Sequence, residues 1–72
     1  MSENLVACDV GGRIAKAAQV GQRVGAGDPL LVVRTGEGDV TLDAPVAGRV
    51  TRVFFEAGDM LPEAAVVAVI EN

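Results

Sequence analysis

The sequence repeats itself once, at a spacing of 36 to 37 residues. The segment Gly12–Ile14 (Gly-Arg-Ile) corresponds to Gly48–Val50 (Gly-Arg-Val), 36 residues later. Val20–Val24 corresponds to Ala57–Leu61 at a spacing of 37 residues, with a glycine in the second position of both segments. Two such half-units can pack face to face around a pseudo-two-fold axis, where each covers the apolar face that the other exposes. The repeat therefore predicts one core shared by two similar halves.

Composition restricts this core to β-structure. A chain of 72 residues is one small domain, 1–72, and we place its quasi-repeats at about 5–36 and 42–72. Thirteen valines are present, and Phe54 and Phe55 are the only aromatic residues, so the core must be aliphatic. Valine is stiff at χ1 and fits a pleated sheet better than a helix. Because nine glycines and three prolines divide the chain into short segments, we predict an all-β fold.

Six segments have the length and composition of strands. Continuous apolar runs, such as residues 30–33 and 66–70, are typical of strands that are buried on both sides. Because the first half is one residue shorter, we also expect a bulge or an altered turn near residues 17–19. The predicted strands are Leu5–Cys8, Arg13–Gln19, Leu30–Arg34, Val40–Asp43, Gly48–Phe55 and Val66–Glu71.

The middle of the chain predicts a β-hairpin with a two-residue turn at Gly36 and Glu37. A glycine in the first turn position favours a type II′ turn, since that position needs a positive φ. An opposite-charge pair beside the turn and a valine pair next to it would each add about 0.2–1 kcal/mol. The predicted pairs are Thr35 with Gly38, Arg34 with Asp39, Val33 with Val40, and Val32 with Thr41.

The charged and reactive residues exclude several functions. Six basic and ten acidic residues give a net charge of −4, and the arginines are dispersed, so no nucleic-acid partner is expected. The chain has no histidine, one serine (Ser2) and one lysine (Lys16), which leaves little for catalysis, and we predict that it is not an enzyme. Cys8 is the only cysteine and is expected to be a small buried thiol.

No segment predicts a membrane location. The first residues lack the basic and apolar regions of a secretory signal, and no apolar run approaches the roughly 20 residues that span a bilayer. We therefore expect a cytoplasmic protein without a membrane partner.

Taken together, the motifs resemble the biotinyl/lipoyl carrier family over roughly Leu5 to Glu71. They are the paired Gly-Arg-hydrophobic segments, the Gly-Asp pairs at Gly27 and Gly58, and Ala-Pro-Val-Ala-Gly at Ala44–Gly48. The resemblance implies a flattened barrel-sandwich hybrid of two four-stranded antiparallel sheets with pseudo-two-fold symmetry. It also implies that both termini lie at one end and that the central hairpin projects from the other.

In that family the hairpin presents a lysine whose ε-amine is joined to biotin or lipoate. The resemblance assigns this position to Glu37, eight residues before Pro45, with Gly36 and Gly38 in place of the usual flanking methionine, aspartate or alanine. A carboxylate cannot form the required amide, because that bond needs a nucleophilic amine. The chain is thus identified as a degenerate carrier for which no cofactor is expected.

The leading functional hypothesis is a non-catalytic accessory domain that binds protein, beside a biotin-dependent carboxylase or a related acyl-processing complex. A functional carrier with unconventional biotin or lipoate attachment, through Lys16 or by non-covalent capture, is one alternative, although Lys16 is expected to be solvated within a strand. A lipoyl-like module of a transport adaptor assembly is another. The candidate interaction residues are Arg34, Glu37, Asp39, Phe54 and Phe55.

Overall fold

The computed structural model describes residues 2–72, which form eight β-strands. The strands are β1 (Glu3–Cys8), β2 (Gly12–Ala17), β3 (Arg23–Val24), β4 (Pro29–Thr35), β5 (Gly38–Asp43), β6 (Gly48–Val53), β7 (Met60–Leu61) and β8 (Ala65–Glu71). One antiparallel sheet has the order β1-β8-β6-β3 and the other β5-β4-β2-β7. The predicted architecture, all-β with two four-stranded antiparallel sheets, is confirmed.

All six predicted strands are present, but their ends differ from the prediction. β2 ends at Ala17 and β6 at Val53, two residues earlier than expected, because the chain then enters a turn. The short strands β3 and β7 were not predicted, since two residues are too few to show a periodic pattern.

The core is built from equivalent positions of the two halves. Ile14, Val33, Val50 and Ile70 are the largest fully buried side chains, and no polar or charged side chain within residues 2–72 is buried. Burying each such aliphatic side chain contributes about 1.5–3 kcal/mol.

Cys8 belongs to this core and its thiol lies 3.5 Å from the carbonyl oxygen of Val10, so the expected buried thiol is confirmed.

Backbone hydrogen bonds tie each half to the other. The amide of Gly21 donates to the carbonyl of Val50 (2.7 Å), and the amide of Gly58 donates to the carbonyl of Ile14 (2.8 Å). The return bonds run from Val50 to Gln22 and from Ile14 to Asp59, both at 2.9 Å. A turn of one half therefore completes the hydrogen bonding of the central strand of the other.

Of the two alternatives expected near residues 17–19, a bulge or an altered turn, the structure has the altered turn. The register of β2 against β4 shifts at Ala15, between Ile14 and Lys16, and β6 shifts against β8 at the equivalent Thr51. Because both halves have the same irregularity, it does not account for their difference in length. The difference lies in the loops that follow, which span residues 18–22 and 54–59.

The additional residue of the second loop is Phe55. Ala18 and Phe54 make equivalent backbone bonds to the neighbouring strand, and Gln19 and Glu56 begin equivalent turns, which leaves Phe55 without a counterpart. The bonds are Ala18 N to Leu30 O (2.8 Å), Phe54 N to Val67 O (3.0 Å), Gln19 N to Gln22 Oε1 (3.3 Å) and Glu56 N to Asp59 Oδ2 (3.0 Å). The inserted ring packs against the core.

The two ends of the described chain lie side by side. Ser2 and Asn72 exchange two backbone hydrogen bonds of 3.0 Å, which extend the pairing of β1 with β8. No helix in residues 2–72 has the length and apolar character needed to cross a membrane.

Gly12 and Gly48, the first residues of β2 and β6, are required by close backbone approach. A Cβ on Gly48 would clash with the carbonyl oxygen of Glu71 and lie 2.8 Å from a methyl carbon of Ile70. A Cβ on Gly12 would meet Arg34 and Val33 in the same way. No rotamer change relieves a clash with backbone, so these positions exclude any side chain.

Gly48→Ala is therefore expected to lower the free energy of unfolding by about 1–3 kcal/mol, as overpacked sites do. Gly36→Ala is the matched control, because no atom lies within 4 Å of its Cβ position and Gly36 lacks a positive φ. Urea unfolding of both variants measures the difference. Equal stabilities would contradict the assigned close approach.

Candidate functional site

The hairpin of β4 and β5 has the predicted register. Thr35 pairs with Gly38, Arg34 with Asp39, Val33 with Val40, and Val32 with Thr41. The turn residues Gly36 and Glu37 are exposed and lie outside both strands. The position of the two-residue turn at Gly36 and Glu37 was therefore sufficient to predict which residues of the two strands face each other.

The predicted type II′ turn is wrong. Gly36 does not have a positive φ, and neither does Glu37, which is the pattern of a type I turn. The positive φ of +123° falls instead on Gly38, directly after the turn. A glycine in this place reconciles a type I turn with the twist of the strands.

The side chain of Thr35 closes the turn. Its hydroxyl donates to the carbonyl oxygen of Gly38 at 2.7 Å and accepts from the amide of Glu37 at 3.1 Å. Threonine commonly stabilises turns in this manner, because its hydroxyl can replace a backbone partner. This role was not predicted from the sequence, although a Thr-Gly pair at the start of a turn is a signal for it.

An exposed ion pair braces the base of the turn. Arg34 Nε lies 3.3 Å from Asp39 Oδ1, and the two side chains are 68% and 52% exposed. Such a pair contributes about 0–1 kcal/mol. Within residues 2–72 the carboxylate of Glu37 has neither an ion-pair partner nor a side-chain hydrogen bond. The structure therefore brings Arg34 and Asp39 together and leaves Glu37 as the projecting charge at the tip.

Lys16, the only lysine of the sequence, lies in β2. This strand is paired on both sides, with β4 and β7, and Lys16 stands opposite Val32. Its side chain is exposed, as expected for a solvated strand residue. It belongs to the middle of a sheet and to no turn.

Phe54 and Phe55 lie just after β6, although the predicted strand Gly48–Phe55 included both of them. Phe55 packs against the core, whereas Phe54 is 50% exposed and, with Val20, lines a groove of about 520 Å³ between the two equivalent loops. None of the charged hairpin residues Arg34, Glu37 and Asp39 lines this groove. The five candidate interaction residues therefore form two separate groups, and Val20 was not anticipated as a member of the second.

No group of three or more Cys, Asp or Glu side chains in residues 2–72 could hold a metal ion. Fold and hairpin together define a carrier-type barrel-sandwich domain whose distinguishing feature is a projecting β-turn.

Comparison with known families agrees with this class. The model of a family described as biotin-requiring enzyme, the biotin/lipoyl family, matches residues 4–70. This chain belongs to the biotin/lipoyl family.

Similar proteins are much longer than this chain. It is 32% identical over 69 residues to the urea amidolyase of Saccharomyces cerevisiae, a match that covers 94% of this chain and 4% of the yeast protein. A single-chain, multi-domain long-chain acyl-CoA carboxylase has a similar region, with a TM-score of 0.86, 25% identity, and coverage of 93% of this chain and 7% of that one. The urea carboxylase of Kluyveromyces lactis gives a TM-score of 0.85 at 28% identity, covering 99% of this chain and 6% of that one. The chain thus spans 4% to 7% of the length of these proteins.

Thr35→Val keeps the shape of the side chain and removes the bridging hydroxyl. We expect a loss of about 0.5–1.5 kcal/mol in unfolding free energy and faster hydrogen exchange at the amide of Glu37. Thr41→Val is the control, because no hydrogen bond of the Thr41 hydroxyl occurs within residues 2–72. If both variants exchanged alike at Glu37, the hydroxyl would not be what closes the turn.

Proposed function

We propose that this chain is a carrier-like domain that carries no biotin or lipoate and acts by binding protein, beside a biotin-dependent carboxylase or a related acyl-processing complex. One observation carries the proposal: the tip of the hairpin presents the carboxylate of Glu37, while the only amine side chain, Lys16, lies in β2 and outside any turn. In this reading the domain is not itself an enzyme.

The chemistry of attachment supports the first part of the proposal, that the chain carries no biotin or lipoate. Biotin and lipoate are carboxylic acids, and their activated acyl groups are captured by an amine. Glu37 offers only carboxylate oxygen atoms and no amine. Lys16 has an amine, but it lies within β2, where it is paired with Val32 of β4, and not at the turn.

Retention of the scaffold supports the second part of the proposal, the protein-binding role. The close approach of Gly12 to Arg34 and the hydrogen bonds of the Thr35 hydroxyl hold the hairpin in a defined conformation. The similar proteins include a urea amidolyase, a urea carboxylase and an acyl-CoA carboxylase. A domain of this shape without a cofactor can still occupy the docking surface of a carrier.

Intact-mass measurement tests the absence of the cofactor. After co-expression with biotin ligase and with lipoyl ligase, we expect the unmodified mass, under conditions that fully modify a control carrier domain. A mass increase of one biotinyl or lipoyl group that disappears in Lys16→Arg would establish the unconventional carrier instead.

The same measurement on Glu37→Lys tests the assigned position. We expect this variant to be modified. Gly36→Met combined with Glu37→Lys should be modified more completely, because it restores a usual flanking residue of the lysine, and the open space around Gly36 accommodates the methionine. Gly38 is left unchanged, since its φ of +123° favours glycine. Failure of both variants, with the fold intact, would mean that the tip no longer has the geometry of a carrier.

Competition tests the protein-binding role. We expect the chain to displace a biotin-loaded carrier domain from a biotin-dependent carboxylase, with Glu37→Gln weaker than the wild type. Glu3→Gln, an equivalent change on β1, serves as the control and should compete normally. Absence of displacement at concentrations far above that of the carrier would contradict a carboxylase partner.

A further inference from the structure

β5 is an open edge of its sheet. It is the outermost strand in the order β5-β4-β2-β7, begins directly after the hairpin turn and is paired on one side only, with β4. Five of its six residues are exposed. The outer edge of such a strand carries unpaired backbone donors and acceptors, which form a template for an added strand.

The side chains of β5 alternate in character. Val40 and Leu42 stand opposite the buried Val33 and Leu31, so they share the apolar face of the sheet. The remaining residues, Asp39, Thr41 and Asp43, share the other face. β5 contains no lysine or proline, which are the residues that commonly protect an edge.

Charge disfavours a second copy of this chain as the occupant. Antiparallel pairing of two β5 strands around Thr41 would place Asp39 of each copy opposite Asp43 of the other. Like charges directly opposite each other destabilise a sheet. Self-pairing of β5 in this register is therefore disfavoured by two like-charge contacts.

We propose that β5 binds an extended segment of a partner protein in which basic and apolar residues alternate. The basic side chains would face Asp39 and Asp43, and the apolar ones would continue the row of Val40 and Leu42. Asp43 contributes most, because its carboxylate is in no ion pair within the described residues, whereas Asp39 shares an oxygen with Arg34 at 3.3 Å. This inference rests on the protein-binding role proposed above and names the chemistry of the partner.

The other long edge strand, β1, provides an internal comparison. Its outward face presents Glu3, Leu5 and Ala7, with a single acid, and Leu5 is 67% exposed. The edge geometry of β1 is similar, but it lacks paired carboxylates. A basic strand should therefore prefer β5.

The experiment is a titration of the ¹⁵N-labelled chain with an octapeptide of alternating lysine and valine, followed by NMR. We expect amide shifts concentrated over Gly38–Asp43 and cross-strand contacts from the peptide to β5. Asp43→Asn should weaken binding by about two- to five-fold, the range for an exposed ion pair, while Glu3→Gln should leave it unchanged.

Several results would overturn the proposal. They are equal binding of a glutamate–valine octapeptide, shifts confined to β1 or to the groove at Val20 and Phe54, absence of binding, no effect of Asp43→Asn, or dimerisation of the chain through β5. The mass measurement is independent of this titration. A biotinylated chain that still bound the peptide would disprove the proposed function and leave the edge site supported. An unmodified chain that did not bind the peptide would disprove the edge site and leave the proposed function unaffected.

Discussion

The structure depends on the exchange of backbone hydrogen bonds between its halves. The turn at Gly21 bonds to Val50 and the turn at Gly58 bonds to Ile14. Each central strand therefore depends on the other half for part of its backbone hydrogen bonding. The same strands begin at glycines that lie against the backbone of the neighbouring strand. A small aliphatic core without large aromatic groups gives limited stabilisation, and these reciprocal bonds determine where each buried valine and isoleucine is held.

Much of the fold could be predicted because its signals are local or repeated. The spacing of the glycines indicated two equivalent halves, and the charge and valine pairs around Gly36 determined the hairpin register. The turn type could not be predicted from Gly36 alone, because the hydroxyl of Thr35 supplies the closing bonds and the positive φ moves to Gly38. The strands β3 and β7 exist only through pairing with distant residues, which a local pattern does not contain.

The candidate site was predictable in position and less so in its arrangement. The family resemblance placed Glu37 at the turn, and the structure has it there, with Arg34 and Asp39 in contact behind it. The adjacent phenylalanines were predicted within the strand Gly48–Phe55. They lie in the loop after β6 instead, and Phe55 is the residue by which this loop is longer than its counterpart in the first half. A length difference is visible in a sequence, but which residue is the additional one depends on tertiary hydrogen bonds.

The paired ends of the chain have a consequence for how the domain can be combined with others. Ser2 and Asn72 are neighbours across a strand pair, so a polypeptide that enters through β1 leaves beside its point of entry. Such a module can be placed within a surface loop of a host protein without stretching the host backbone or requiring a long return path.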